Sequence, residues 1–212
     1  MPAATRLCIV RHGETDWNLD KRIQGHQDIP LNPTGRRQAL ALGAGLTGHG
    51  FQAVHASDLQ RAWQTARLIG ECLGLPIQPA PGLRERHYGV LQGLTAAEIA
   101  ARYPEFRTRY QTRDRACDFG GGESLVKFAE RMFATIQALV AGHPGQTLLL
   151  VSHGGVLDLC YRRASGRDLS APRDFVIPNG AINWFEAGPD GWRLLEWANR
   201  RHLEDALDEF PE

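Results

Sequence analysis

The sequence predicts a three-layer α/β/α sandwich with a mainly parallel central sheet and an antiparallel edge. Three observations point there. Short apolar runs of strand length alternate with longer segments of helical period along the whole chain. One of them, TLLLVSH (Thr147–His153), is continuously apolar, as strands buried on both faces of a parallel sheet are. Two late runs then face each other across a Pro-Asp-Gly turn, the pattern of an edge hairpin.

Taken in order, RLCIV (Arg6–Val10) is a compact apolar run and the first expected strand. A polar, turn-rich loop follows from Gly13 to about Pro33, and Thr34–Leu46 then places Ala39, Leu42 and Leu46 at helical spacing. Ala53–Ser57 is the second strand. Arg61–Gly74 is the second helix, ending on a glycine suited to the left-handed residue that closes helices. After the short PIQP (Pro76–Pro79), the segment TAAEIAARYPEFRTRYQ reads as two short helices broken at Pro104. Glu123–Gly142 aligns Leu125, Phe128, Met132, Ile136, Leu139 and Val140 on one face, the clearest amphipathic helix in the chain. Thr147–His153 is the central strand, and Ile182–Gly188 and Trp192–Ala198 flank Pro189-Asp190-Gly191 as the hairpin. Neither a repeat nor a low-complexity linker divides these elements, so one domain is expected over residues 1–212.

Composition narrows the function. With 212 residues, 42% hydrophobic and 23% charged, the chain is long enough for a substantial core and too ordinary for disorder. The 24 basic residues match the 24 acidic ones, so no global field recruits nucleic acid, and no polybasic arm marks a membrane surface. No apolar stretch approaches the roughly 18 residues that span a bilayer. Cys8, Cys72, Cys117 and Cys160 are scattered without a CxxC pair and read as reduced, mostly buried thiols. A cytoplasmic location and a small-molecule partner are the expectation. Oligomeric state is left open.

Two strands end alike. RLCIV runs into Arg11-His12-Gly13, and TLLLV into Ser152-His153-Gly154-Gly155. Ligands of open α/β sheets bind beyond the carboxyl ends of parallel strands, so neighbouring strands would bring His12 and His153 together there. A metal site is disfavoured: Arg11 beside His12 repels a cation, and neither HxH nor HExxH is present.

These segments carry a family resemblance. LCIVRHGETDWN, RIQGHQDIPLNPTGRRQAL, SDLQRAWQTA, LRERHYGVLQG, GGGES and LLVSHGG occur in order over nearly the whole chain, through the terminal NRRHL (Asn199–Leu203). Together they resemble the histidine phosphatase superfamily, the group of cofactor-dependent phosphoglycerate mutases and many phosphomonoesterases. The resemblance implies that His12 is a nucleophile forming a phosphohistidine. It makes Arg11, Arg61 and His153 the clamp on the phosphoryl group, and Glu85 the proton donor and acceptor. Asn18, Gln24, Gly25, Tyr88, Ser124 and Gly154 become phosphate or substrate contacts, Ser124 serving either as an anion donor or as a helix cap.

The chemistry explains the set. Phosphate-monoester hydrolysis is so slow uncatalysed that enzymes accelerate it by up to ~10²¹-fold. A protein can supply an in-line nucleophile, fixed positive charge and a proton for the departing alkoxide. Arginine's planar fork suits the phosphoryl oxygens and keeps its charge, so the resemblance implies no metal and no other cofactor. The same pocket also serves a mutase, which would need 2,3-bisphosphoglycerate. Family mutases usually carry a longer insertion with paired arginines after the glutamate segment, and tend to have Asn where this chain has Gly155. ERHYG (Glu85–Gly89) is mutase-like, but the region offers only RTRYQTRDR (Arg107–Arg115). A phosphomonoesterase acting on a small phosphorylated metabolite is therefore expected, with the mutase as the alternative and a non-catalytic phosphate-binding module as a remote one.

Overall fold

A computed structural model describes residues 3–203. Six strands form one sheet: β1 (Thr5–Arg11), β2 (Ala53–Ala56), β3 (Ile77–Pro79), β4 (Thr147–Ser152), β5 (Ile182–Gly188) and β6 (Gly191–Asn199), in the order β3-β2-β4-β1-β5-β6. The pairs β1/β4, β2/β4 and β2/β3 are parallel, whereas β5 runs antiparallel to β1 and to β6. The expected parallel sheet with an antiparallel edge is what the chain forms.

Alternation along β1 and β4 builds the layers. Leu7, Ile9, Leu148 and Leu150 face one core with α6 (Leu125–Gly142) and α7 (Gly154–Ser165). Cys8, Val10, Leu149 and Val151 face the other with α2 (Pro33–Leu46) and α3 (Gln60–Leu73). Successive side chains of a strand point to opposite faces, so a run apolar at every position needs cover on both. A third, smaller cluster of Leu91, Ile99, Cys117 and Phe119 underlies α4 (Ala96–Arg102) and α5 (Pro104–Gln111).

Two elements differ from the sequence pattern. The loop after β1 contains a one-turn helix, α1 (Asp16–Leu19), closed by a reciprocal cap between Thr15 and Asn18. The stretch after β4 is α7, which begins on the two glycines and has no strong helix-start residue to announce it. Gly74 closes α3 at φ 65°, and Pro104 opens α5 at its first turn. Cys72 lies exposed, against the expectation of a buried thiol, in the last turn of α3, with its Sγ beside Gly43 of α2. Cys8, Cys117 and Cys160 are buried, and all four thiols are free.

Leu150 is fully buried in the strand between β1 and β2. Leu150→Ala is expected to cost about 2–5 kcal/mol, lowering the urea midpoint without changing the denaturant slope.

Candidate active site

Parallel pairing of β1 with β4 in the register Arg11↔Ser152 sets the site. The His12 N–H donates to the Ser152 carbonyl at 2.9 Å, so His12 and His153 leave adjacent strand tips. Their ring centroids are 5.2 Å apart, tilted by 59°. Gly13 is needed for a close approach rather than for an unusual backbone angle: a Cβ there would lie 2.3 Å from the Gly35 carbonyl oxygen at the start of α2. Asn179 ties the corner down, its Nδ2 donating to the His12 carbonyl at 2.9 Å.

The tautomer of His12 follows from its neighbour. Nδ1 lies 2.7 Å from the Gly13 carbonyl, which can only accept, so Nδ1 carries the proton and the lone pair is on Nε2. Burial holds the His12 pKa well below the usual histidine value, reinforced by Arg61 and Arg11 and opposed by the Gly13 carbonyl. His153 is shifted in the same direction, first by burial and then by Arg61, His12 and Arg11. Its Nε2 meets the Ser57 hydroxyl at 2.8 Å, while Nδ1 is buried with no partner among the described residues.

Both arginines are held by backbone carbonyls rather than by carboxylates. Arg61 donates from Nη1 to Gln27 O at 2.9 Å and from Nη2 to Gly25 O at 2.8 Å. Arg11 donates from Nη1 to Ile177 O. In each, Nε is buried without a partner. Burial pushes both guanidinium pKa values down to about 10, opposed in each case by Glu85, so both remain charged at neutral pH. Two unpartnered donors, Arg11 Nε and Arg61 Nε, thus flank a neutral imidazole, and an unpartnered ring nitrogen of His153 lies beside them. A buried unpaired donor costs about 1–3 kcal/mol, and a multiply charged oxyanion can satisfy several at once.

Glu85 stands opposite. Its carboxylate oxygens accept the N–H groups of Arg86 at 2.8 Å and of Gly155, in the first turn of α7, at 2.9 Å. Gly155 permits this: a Cβ there would lie 2.1 Å from Glu85 Oε1. The loop bearing Glu85 is itself gathered by Arg131, which donates to the carbonyls of Gly82, Arg84 and Glu85 while forked onto Glu123 at 2.7 Å through both nitrogens.

These groups line a crevice of about 280 Å³ with Arg11, His12, Asn18, Gln24, Gly25, Arg61, Glu85, Tyr88 and Gly154 on its walls. His153 is fully buried behind that wall. Asn18 Oδ1 accepts from the backbone and hydroxyl of Thr15, so these bonds leave its Nδ2 hydrogens for the crevice. Gln24 braces the loop through a 2.8 Å bond to Thr15 Oγ1. Gly25 adopts φ 53° and turns its carbonyl to Arg61. Ser124 is a correction: it caps α6 by accepting the Lys127 N–H at 3.2 Å and does not line the crevice. Its neighbour Glu123 is bonded to Arg131, which gathers the Glu85 loop. Lys21, Tyr110 and Arg173 also line the crevice, and no local pattern marked them. A larger, more apolar cavity of about 570 Å³ lies between α6 and α7 around Phe133 and Leu159, away from these groups. Among the described residues, no group of three or more His, Cys, Asp or Glu side chains is placed to hold a metal ion. No helix of the described residues is long and apolar enough to cross a membrane.

Such a crevice sets unpartnered guanidinium donors around an imidazole whose Nε2 lone pair is free, and comparison gives the family. The chain belongs to the histidine phosphatase superfamily, branch 1, whose sequence pattern matches residues 7–200. It is 37% identical to phosphoglycerate mutase-like protein 4 of Arabidopsis thaliana, the match covering 94% of this chain and 87% of that one. It is 34% identical to a metal-independent phosphoserine phosphatase of the same plant, over 94% of this chain and 83% of the other. Its fold superposes on YhfR of Bacillus stearothermophilus with a TM-score of 0.88 at 29% identity, covering 94% and 100% of the two chains.

The buried neutral histidines make stability depend on pH. The unfolded chain takes up a proton at His12 near pH 6.5 and the folded chain does not, so stability falls as pH drops below about 6.5. His12→Gln is expected to flatten the fall of unfolding free energy between pH 6.5 and 5, by up to about 1.4 kcal/mol per pH unit, in urea titrations of the ligand-free protein.

Proposed function

We propose that this protein is a phosphomonoesterase that works through a phosphohistidine on Nε2 of His12. The observation that carries the reading is the neutral, Nδ1-protonated imidazole set among the unpartnered donors of Arg11 and Arg61. In the first half-reaction the Nε2 lone pair attacks phosphorus and the P–O ester bond breaks. Glu85, protonated when substrate is bound, passes its proton to the departing alkoxide. The phosphorylated ring carries positive charge, which the Gly13 carbonyl stabilises at Nδ1. In the second half-reaction Glu85 accepts a proton from water as its oxygen attacks phosphorus. The P–N bond breaks, returning inorganic phosphate and free His12.

Arg11, Arg61 and the Asn18 amide hold the phosphoryl oxygens, and His153 adds its unpartnered Nδ1. Such charge-assisted bonds accelerate the reaction only as far as they strengthen in the transition state. In this reading the guanidiniums supply the positive charge, and the reaction needs neither a metal nor an organic cofactor. The name of the Arabidopsis metal-independent phosphatase supports that reading. Four free cysteines fit the reducing cytoplasm, where we place the reaction on a small phosphorylated metabolite. Hydrolysis is preferred to mutase chemistry because Gly155, where family mutases tend to have Asn, lies against the Glu85 carboxylate, and because the chain lacks their longer insertion after the glutamate segment.

Turnover of p-nitrophenyl phosphate in the presence of EDTA is expected, falling by about 10³-fold or more in His12→Gln, with an acid-labile phosphoprotein trapped only in the wild type. Turnover that survives in His12→Gln overturns the mechanism. Stimulation of phosphoglycerate interconversion by 2,3-bisphosphoglycerate, exceeding hydrolysis, would favour the mutase instead.

Gly155→Ala should fold, since its backbone is outside the left-handed region, yet it displaces Glu85. It is expected to lower kcat about tenfold or more for an alkyl phosphate and much less for p-nitrophenyl phosphate, whose leaving group needs no proton.

A further inference from the structure

Beyond Tyr88 the crevice opens into a second cavity of about 300 Å³, and the two share Tyr88, Tyr110, Gly155 and Arg173. Tyr88 and Tyr110 meet edge to face with centroids 6.0 Å apart, forming an aromatic wall at the junction. The cationic group at that junction is Arg173, from the segment between α7 and β5.

The setting of Arg173 is unusual. Asp158 on α7 is 2% exposed and accepts from three guanidiniums: Arg162 Nε at 3.0 Å, Arg173 Nε at 3.0 Å, and Arg113 Nη2. One carboxylate cannot neutralise three cations. Arg113 and Arg162 also bond to the carbonyls of Leu169 and Asp168. Among the described residues, no hydrogen bond uses Nη1 or Nη2 of Arg173. Its side chain, 45% exposed, is therefore anchored at Nε with four donors left for a ligand. An anchored fork loses little freedom on binding.

The other charges facing the crevice do not offset it. Arg11 and Arg61 meet the transferred phosphoryl group, Arg22 is paired with Glu98 at 2.7 Å, Lys21 is a further cation at the rim, and Glu85 is bound to backbone N–H groups. A neutral leaving group would leave the terminal N–H groups of Arg173, beyond its bond to Asp158, without an anionic acceptor.

Building on the phosphomonoesterase reading, we propose that the substrate's leaving group carries a carboxylate and that Arg173, held by Asp158, is the residue that selects it. One guanidinium fork matches one carboxylate. A second phosphoryl group would call for a paired clamp like that of Arg11 and Arg61. The non-phosphoryl end of the substrate then lies along Tyr88 and Tyr110 in the second cavity.

The test uses two matched pairs of different reach: 3-phosphoglycerate against glycerol 3-phosphate, and 3-carboxyphenyl phosphate against phenyl phosphate. The wild type is expected to prefer the carboxylated member of at least one pair by about tenfold or more in kcat/KM. Arg173→Gln should lower that preference about tenfold to a hundredfold, chiefly through KM, and Arg173→Lys should restore part of it. A wild type without preference in either pair overturns the proposal, as does an Arg173→Gln variant that loses both members of a pair equally. p-Nitrophenyl phosphate separates the two readings. If it and all four substrates are left unhydrolysed, the phosphomonoesterase reading fails and this inference falls with it. If it is turned over without carboxylate preference, only this inference fails.

Discussion

The structure turns on a concentration of positive charge around an uncharged ring. Arg11 and Arg61 are brought to His12 in a largely buried place, where each guanidinium repels the other and both oppose protonation of the imidazole. Ordinary folding would offset such cations with carboxylates. Here the acceptors are carbonyls: Ile177 for Arg11, and Gln27 with Gly25 for Arg61. A carbonyl satisfies a donor without cancelling its charge, so the field stays available for an oxyanion. The imidazole stays uncharged under the same field that would attract an oxyanion.

The scaffold around this centre works by fixing loops that have little regular structure of their own. Thr65 on α3 accepts from the Gly13 N–H at 3.0 Å, and Asn179 binds the His12 carbonyl, so the nucleophile's corner is held from two sides. Arg131 collects three carbonyls of the segment carrying Glu85. Asp158 does comparable work for Arg173. Each is a polar anchor on or beside a packed helix, which turns the rigidity of the core into position at the crevice.

Hydrolase and mutase chemistry share everything at the phosphoryl end and part only at the leaving-group end. That end is built by α5, the Tyr88 segment and the chain between α7 and β5, the least regular parts of the fold. Loops on a rigid frame are where specificity is cheapest to alter.

The alternation of strands and helices, the apolar faces of α6 and β4, and the matching histidine-glycine ends of β1 and β4 were legible in the sequence. Each depends on contacts between near neighbours or on a periodicity that burial imposes. His12, Arg11, Arg61, Glu85 and His153 were legible because they stand in short, recognisable patterns. α7 was not, since it starts on two glycines and its helical order comes from packing on the sheet. The tertiary structure decided which face of His12 is free, that Glu123 is paired with Arg131 while Ser124 caps α6, and that Tyr110 and Arg173 border the crevice. Those facts rest on residues brought together from distant parts of the chain, such as Asp158 with Arg113, and Glu85 with Gly155. Their spacing along the chain obeys no period, so only the folded geometry could reveal them.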